Sequence, residues 1–348
     1  MKFSFVTLPD YPLQESLEQI KLADQLGFYG AYAADETWHK DLYILFAAAA
    51  DKTTQIRFGP SLAPMALREP THVAQAVATL DELTNGRAEC VISIGNFSML
   101  QQYVIDWKSI KPLSRVKEAH HVIRTLLDDG AITFEGEFYN YAGLFTFARP
   151  VQEHLPVLIG ALRGPKSFEA AGELSDGTHA FAQYSAEACE YMVTHMKAGA
   201  ERAGKDWRQL DIAVWEVFAI SDNSENAKLA AQTIGAFYIP AMATEQLERH
   251  GISEGDVKPI MDAFAAGDVQ GAINAMTPDL AEKLSVAGTP EEIVEKIKRD
   301  IEPSGVNHMV MCVTDSFLLK AFTGRDVDVP DVKGQLQLVH DQVMPAFA

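Results

Sequence analysis

Residues Ile56–Gly95 read IRFGPSLAPMALREPTHVAQAVATLDELTNGRAECVISIG. The apolar run Ile56–Ala63 predicts a strand. Pro70–Thr84 predicts a helix, closed by the turn pair Asn85-Gly86. A second apolar run, Ala88–Gly95, predicts another strand. Two short apolar runs joined by one helix form a βαβ unit, whose strands lie parallel.

The same alternation extends both ways from this unit. Upstream, Lys2–Leu8 and Gly30–Ala34 predict strands, and Gln14–Leu26 and Leu42–Asp51 predict helices. The first helix carries apolar residues at Leu17, Ile20, Leu22, Ala23 and Leu26, a helical rhythm that Gly27 stops. Downstream, strands are expected at Pro156–Ala161, Thr178–Ala182, Asp211–Ile220 and His308–Val313. Helices are expected at Pro112–Asp128, Pro165–Leu174, Ala186–Ala203, Ser224–Phe237, Pro290–Ile301 and Val332–Met344. Residues 131–149 read as a β-rich excursion, and 238–285 as an insertion of short helices. The pattern predicts an α/β chain of one domain over 1–348: a single (β/α)8 TIM barrel with the insertion before its last strand. An open, doubly wound sheet would need a glycine-rich turn after the first strand. The sequence there is LPDYPLQES (8–16), without glycine.

Bulk properties narrow the function. The chain has 348 residues, 47% hydrophobic, enough for a large core, and a net charge of −19. Such a charge repels phosphate backbones and anionic membranes, so neither nucleic acid nor membrane is expected as a partner. No apolar run reaches the roughly 18 residues a membrane span needs. The start, MKFSFVTLP, lacks the charged and long apolar regions of a signal peptide, so a cytoplasmic enzyme is expected. Cys90, Cys189 and Cys312 form no CxxC pair. Cys90 and Cys312 sit in apolar runs and read as buried, inert thiols.

In a barrel of this kind, chemistry gathers where strands end at the C-terminal face. That rule nominates Asp35–His39, Ser61 and Leu62, Gly95 and Asn96, Gly160–Lys166 and Asp176–His179. Asp35-Glu36-Thr37-Trp38-His39-Lys40-Asp41 is the densest cluster. Acids, an aromatic and an imidazole can position a ring and move a proton; the plainer alternative is a solvated loop with a helix cap. His39 has no second histidine at ligand spacing, so no metal is expected. His120-His121 reads as a surface pair. Gly160-Ala161-Leu162-Arg163-Gly164-Pro165-Lys166 follows a strand and opens a helix, which suits a phosphate; a plain connection is the alternative. Arg68 is placed to reach the cleft from the third strand's exit, and Arg87 to clamp onto Asp81 or Glu82.

At these residues the chain resembles the luciferase-like superfamily, and within it the deazaflavin (coenzyme F420)-dependent branch that includes methylenetetrahydromethanopterin reductases. The resemblance rests on motifs in order: IRFGPSLAP with REP, AQAVATLDELTNGRA, VISIGN, IGALRGPKSFEAAGELSDG and AGTPEEIVEKIKRDIEPSGVNH. It covers Met1 to about Val313. It implies a barrel with a flavin-type ring in its mouth, held by Asp35, Ser61, Leu62, Gly95, Asn96, Gly160, Ala161, Gly164, Pro165 and Lys166. Ser61-Leu62 matches a bond that is often a non-proline cis peptide forming a bulge behind the ring.

Three positions depart from the pattern. Glu36 stands where relatives often have histidine after the aspartate, Asn96 replaces an acid, and Val6 replaces another on the first strand. Glu36 is then the expected proton donor, with His39 second. The implied function is hydride transfer between coenzyme F420 and a small organic substrate, by a homodimer joined through its early helices. The alternatives are an FMN-dependent monooxygenase and a non-catalytic flavin-binding protein.

Overall fold

The computed structural model describes residues 1–8, 11–107, 109–161 and 164–348. Eight parallel strands carry the fold: β1 Lys2–Val6, β2 Gly30–Ala33, β3 Arg57–Pro64, β4 Cys90–Ser93, β5 Val157–Ile159, β6 Gly177–Phe181, β7 Asp211–Ile220 and β8 His308–Val313. From β1 the sheet runs through β2, β3 and β4 to β5 in one direction, and through β8 and β7 to β6 in the other. Asp176 N donates to Val157 O (3.1 Å) and Ala161 N to His179 O (3.2 Å), which joins β6 to β5. Helices follow the strands in alternation, giving the (β/α)8 TIM barrel.

The contacts divide the chain into two compact units. One comprises Val6–His179 and His195–Asp211 and contains β2–β5. Buried acids fix its strand register. Asp24 accepts from the backbone N–H groups of Thr54, Gln55 and Ile56 (2.8–2.9 Å). Burial opposes ionisation of Asp24, but these donors together hold its carboxyl below the ordinary value. Asp81 accepts from Ala88 N, Val151 N and Gln152 N. Glu89 accepts from the Tyr29 and Tyr32 hydroxyls and pairs with Arg57. Gly59 on β3 is required by close approach: a Cβ there would meet Glu89 O at 2.2 Å.

Arg87 is a clamp, but its partners differ from the acids named above. Its guanidinium donates to the carbonyls of Thr84, Ile56, Ala50 and Thr53 and to Thr53 Oγ1. Asp81 is already occupied by backbone donors. His120 also departs from expectation. It lies on the buried stripe of helix Pro112–Asp129, with Val116, Ala119 and Ile123, while His121 faces solvent.

The other unit comprises Met1–Phe5, Ala180–Thr194 and Ile212–Ala348. Residues 238–285 contain the short helices Thr244–Arg249, Glu254–Ala265, Val269–Asn274 and Pro278–Lys283. Val286–Gly288 then pairs in parallel with Phe218–Ile220 of β7. His250 sits beneath the exit of β6. Its Nε2 accepts from Tyr184 N (3.1 Å) and its Nδ1 donates to Gln246 O (2.7 Å). No helix among the described residues is long and apolar enough to cross a membrane.

Candidate functional site

The strand exits of the first unit carry most of the nominated residues. Asp35 follows β2, and its backbone N–H donates to Leu62 O (3.1 Å). Its carboxyl is nearly buried. Oδ1 accepts from Arg68 Nη2 at 2.6 Å, and Oδ2 is buried without a partner among the described residues. Burial raises the Asp35 pKa, and the Arg68 guanidinium works against that rise.

Glu36 is the neighbouring acid, its side chain 11% exposed. Burial pushes its carboxyl up to about 7; His39 opposes the shift and Asp35 adds to it. His39 Nε2 stands 3.8 Å from Glu36 Oε2, and His39 N donates to Glu36 O, so one turn holds both groups. The exit is also tied to the helix Phe97–Gln102: Trp38 Nε1 donates to Gln102 Oε1 (2.7 Å) and the Tyr103 hydroxyl to Thr37 Oγ1 (3.2 Å).

Ser61 and Leu62 lie within β3, joined by a cis peptide bond. The pairing of β3 with β4 shifts register between Ser61 and Ala63, a local bulge. Ser61 Oγ stands 3.0 Å from His179 Nδ1, and the rings of His179 and Tyr32 meet nearly perpendicular, centroids 4.8 Å apart. His179 is fully buried. It was reachable in the sequence only through the strand-end rule, which gave it no role. Asp176, nominated with it, belongs to the opposite end: it precedes β6 and binds His154, Arg124 and Val157 N.

Gly95 adopts φ 122°, and a Cβ there would stand 3.1 Å from Pro64 Cβ, so the turn after β4 needs glycine. Asn96 caps the helix Phe97–Gln102, its Oδ1 accepting from Ser98 N (2.9 Å). Gly160 N donates to Ile92 O, and Ala161 is buried at the end of β5. Gly164, at φ 87°, precedes the helix Pro165–Leu174, whose first turn has no side-chain cap. Pro165 and Lys166 are exposed there. Arg163, nominated for its charge, lies outside the described residues, as does Leu162. Among the described residues no group of three or more His, Cys, Asp or Glu could hold a metal ion.

The hydrogen bonds link the exit of β2 to the bulge of β3, and that bulge and the end of β5 to the middle of β6: Asp35 to Leu62, Ser61 to His179, and Ala161 to His179. Glu36 and His39 stand beside this chain, and Lys166 is exposed on the helix after β5. Sequence reasoning missed the fastening around Arg68. A hairpin, Ala131–Glu135 with Asn140–Phe145, reaches its loop: the Tyr139 hydroxyl donates to Met65 O (3.0 Å) and the Tyr141 hydroxyl to Glu69.

The model of the luciferase-like monooxygenase family matches residues 1–308. The chain belongs to that family. It has the fold of that class and is a luciferase-like oxidoreductase. The chain is 29% identical over 349 residues to the 5,10-methylenetetrahydromethanopterin reductase of Archaeoglobus fulgidus, covering 99% of each. It is also 29% identical over 311 residues to the same-named protein of Methanolobus tindarius, covering 89% of this chain and 93% of the relative. Among solved structures, the coenzyme F420 dependent tetrahydromethanopterin reductase of Methanopyrus kandleri superposes with a TM-score of 0.88 at 26% identity, covering 100% of this chain and 99% of that one.

Proposed function

We propose that the protein transfers a hydride between coenzyme F420 and a small organic substrate, with Glu36 exchanging the accompanying proton. The observation that carries this reading is the acid pair after β2. Asp35 offers a buried oxygen without a partner, and Glu36 beside it holds a carboxyl near neutral pH. The choice of cofactor is supported by the structural relative from Methanopyrus kandleri, which is named as coenzyme F420 dependent.

The residues fit a flavin-type ring. Asp35 Oδ2 is an open acceptor for an N–H or O–H donor. Ser61 and Leu62 would support one face of the ring, and Gly95, Asn96, Gly160 and Ala161 would border it. The uncapped helix start offers the backbone N–H groups of Gly164 and Lys166, Pro165 having none, and the charge of Lys166 to a phosphate-bearing tail. When bound, the deazaflavin supplies the hydride chemistry, which no side chain can supply. Hydride transfer to a carbon centre calls for a matching proton, and Glu36 at a pKa of about 7 can give or take one near neutrality.

We further propose a homodimer in the cytoplasm. Helix Leu42–Ala50 is almost wholly apolar, yet Ile44 is 67% exposed and Ala47 and Ala48 lie on its outer side, a stripe suited to a second copy. Titration with purified coenzyme F420, followed by its absorbance, tests the cofactor. Oxygen consumption with reduced FMN, together with no coenzyme F420 binding, would replace the reading by the monooxygenase one that the family's name favours.

A further inference from the structure

Arg68 has no place in the chemistry above, yet it occupies the centre of the strand-two and strand-three exits. Its guanidinium lies 2.6 Å from Asp35 Oδ1, 3.8 Å from Asp41 Oδ2 and 5.7 Å from the centroid of the Tyr43 ring. Asp41 already serves as the cap of helix Leu42–Ala50, accepting from Ile44 N (3.0 Å). Asp35 is therefore the acid that depends on Arg68. The loop that carries Arg68 is itself held. Its N–H donates to Pro64 O, Glu69 receives the Tyr141 hydroxyl, and Met65 O receives the Tyr139 hydroxyl. An arginine held at its backbone and stacked on an aromatic ring is a rigid partner for a carboxylate.

We propose that Arg68 is a positioning residue: by engaging Oδ1 of Asp35 it presents the other oxygen, Oδ2, as a fixed acceptor to a ring donor of the bound cofactor. The inference rests on the proposed cofactor site, but its first half concerns this chain alone. A carboxylate removed from water persists as an anion only with a charge or donors nearby. The groups around Asp35 are Glu36 beside it, Asp41 and Tyr43 on the following helix, Cys90 on β4, and Arg68. Arg68 is the cation among those groups. Removing it leaves Asp35 with burial and with acids, and its proton is then held more tightly.

The test follows Asp35 directly. Protein labelled with 13C at the aspartate carboxyl is titrated without cofactor, the Asp35 signal being assigned from Asp35→Asn. Replacing Arg68 by Gln is expected to weaken the acid by roughly tenfold or more, and replacing it by Lys to restore part of the loss. In parallel, the affinity of Arg68→Gln for coenzyme F420 is expected to fall and to recover as pH rises, whereas wild-type affinity stays flat over the same range. A purely structural arginine would lower affinity equally at every pH. An Asp35 titration that is the same in wild type, Arg68→Gln and Arg68→Lys overturns the proposal, whatever the cofactor does. If Asp35 responds as expected but wild-type protein binds no coenzyme F420, the cofactor assignment falls, and the presentation of Oδ2 to its ring falls with it, while the hold of Arg68 on Asp35 stands. Should Arg68→Gln not fold, Arg68→Lys carries the same comparison. An Asp35 acidity and pH profile unchanged in that variant, with weakened binding at all pH values, would count against the proposal.

Discussion

Ser61 Oγ and His179 Nδ1, 118 residues apart in sequence, meet at 3.0 Å in a region closed to water. The contact joins the bulge of β3 to the middle of β6. A buried hydroxyl or imidazole that loses its partner costs about 1–3 kcal/mol, and truncating a large buried ring adds a cavity. Ser61→Ala is expected to destabilise by about 1 kcal/mol and His179→Ala by about 3 kcal/mol. A double-mutant cycle in urea should show a coupling of roughly 0.5–1.5 kcal/mol. Strict additivity would mean that the two groups do not support one another.

Two buried histidines set the acid limb of stability. Burial lowers His120 to about 4 and His250 to about 4. Tyr184 N–H, which needs a bare Nε2, also favours the neutral ring of His250, while Gln246 O, accepting from Nδ1, works against the shift. Both folded values lie below the unfolded value of about 6.5. Their stabilising contribution is complete above about 6.5 and is lost as pH falls from there through about 4. Each is worth up to roughly 3 kcal/mol by linkage. His250→Gln should flatten the fall of Tm between pH 6.5 and 4; a curve that follows wild type throughout would refute the assignment.

How much of this was legible beforehand depended on whether the signal was local. Pro70–Thr84, Pro165–Leu174, Asp211–Ile220 and His308–Val313 have the limits expected of them, because proline, Asn-Gly or a polar break closes each run. The helix Phe97–Gln102 has six residues, too few for a helical period to show, and Asn96 is its cap. Val286–Gly288 is three residues long, too short for a period to show. The helix Ser316–Thr323 was missed as well. His120 was misplaced because a polar residue on a helix reveals its face only once packing is known. At the site, Asp35 and Glu36 stood out as adjacent acids. Arg68 lies 33 residues from Asp35, and no spacing rule connects an arginine after one strand to an acid after another.

Arg87 ties several carbonyls together, so its loss leaves them without their donor. Arg87→Met, which keeps much of the stem's packing, is expected to cost about 2–4 kcal/mol by chemical denaturation. Substituting Glu82 should cost under about 0.5 kcal/mol, since that acid is exposed and Arg87 does not use it. Equal losses in the two variants would restore the acid clamp that the sequence suggested.

The homodimer rests on the outward stripe of helix Leu42–Ala50. Ile44→Asp puts a charge into that stripe while leaving Leu42, Leu45 and Phe46 buried. Sedimentation velocity should show a dimer for the wild type and a shift toward monomer for the variant, with little change in the circular dichroism of the barrel. A wild-type monomer at all accessible concentrations would remove the interface.

Glu36 carries the sharpest expectation about catalysis. Its folded pKa of about 7 lies above the unfolded value of about 4.3. Its neutral form therefore favours the folded state fully below about 4.3, and that advantage is lost as pH rises through about 7. Glu36→Gln keeps the shape and removes the ionisation, so the variant should gain Tm relative to wild type above pH 7 and not below pH 4. The same substitution should reduce turnover by about 10²–10⁴, the usual worth of a positioned acid or base. If Glu36 is the donor, wild-type kcat/KM falls as pH rises through about 7, and the variant loses that limb. His39→Asn should move the limb upward, because His39 opposes the rise caused by burial. Full activity in Glu36→Gln, with the limb intact, would assign the proton to another group and leave Glu36 a buried acid of the strand-two turn.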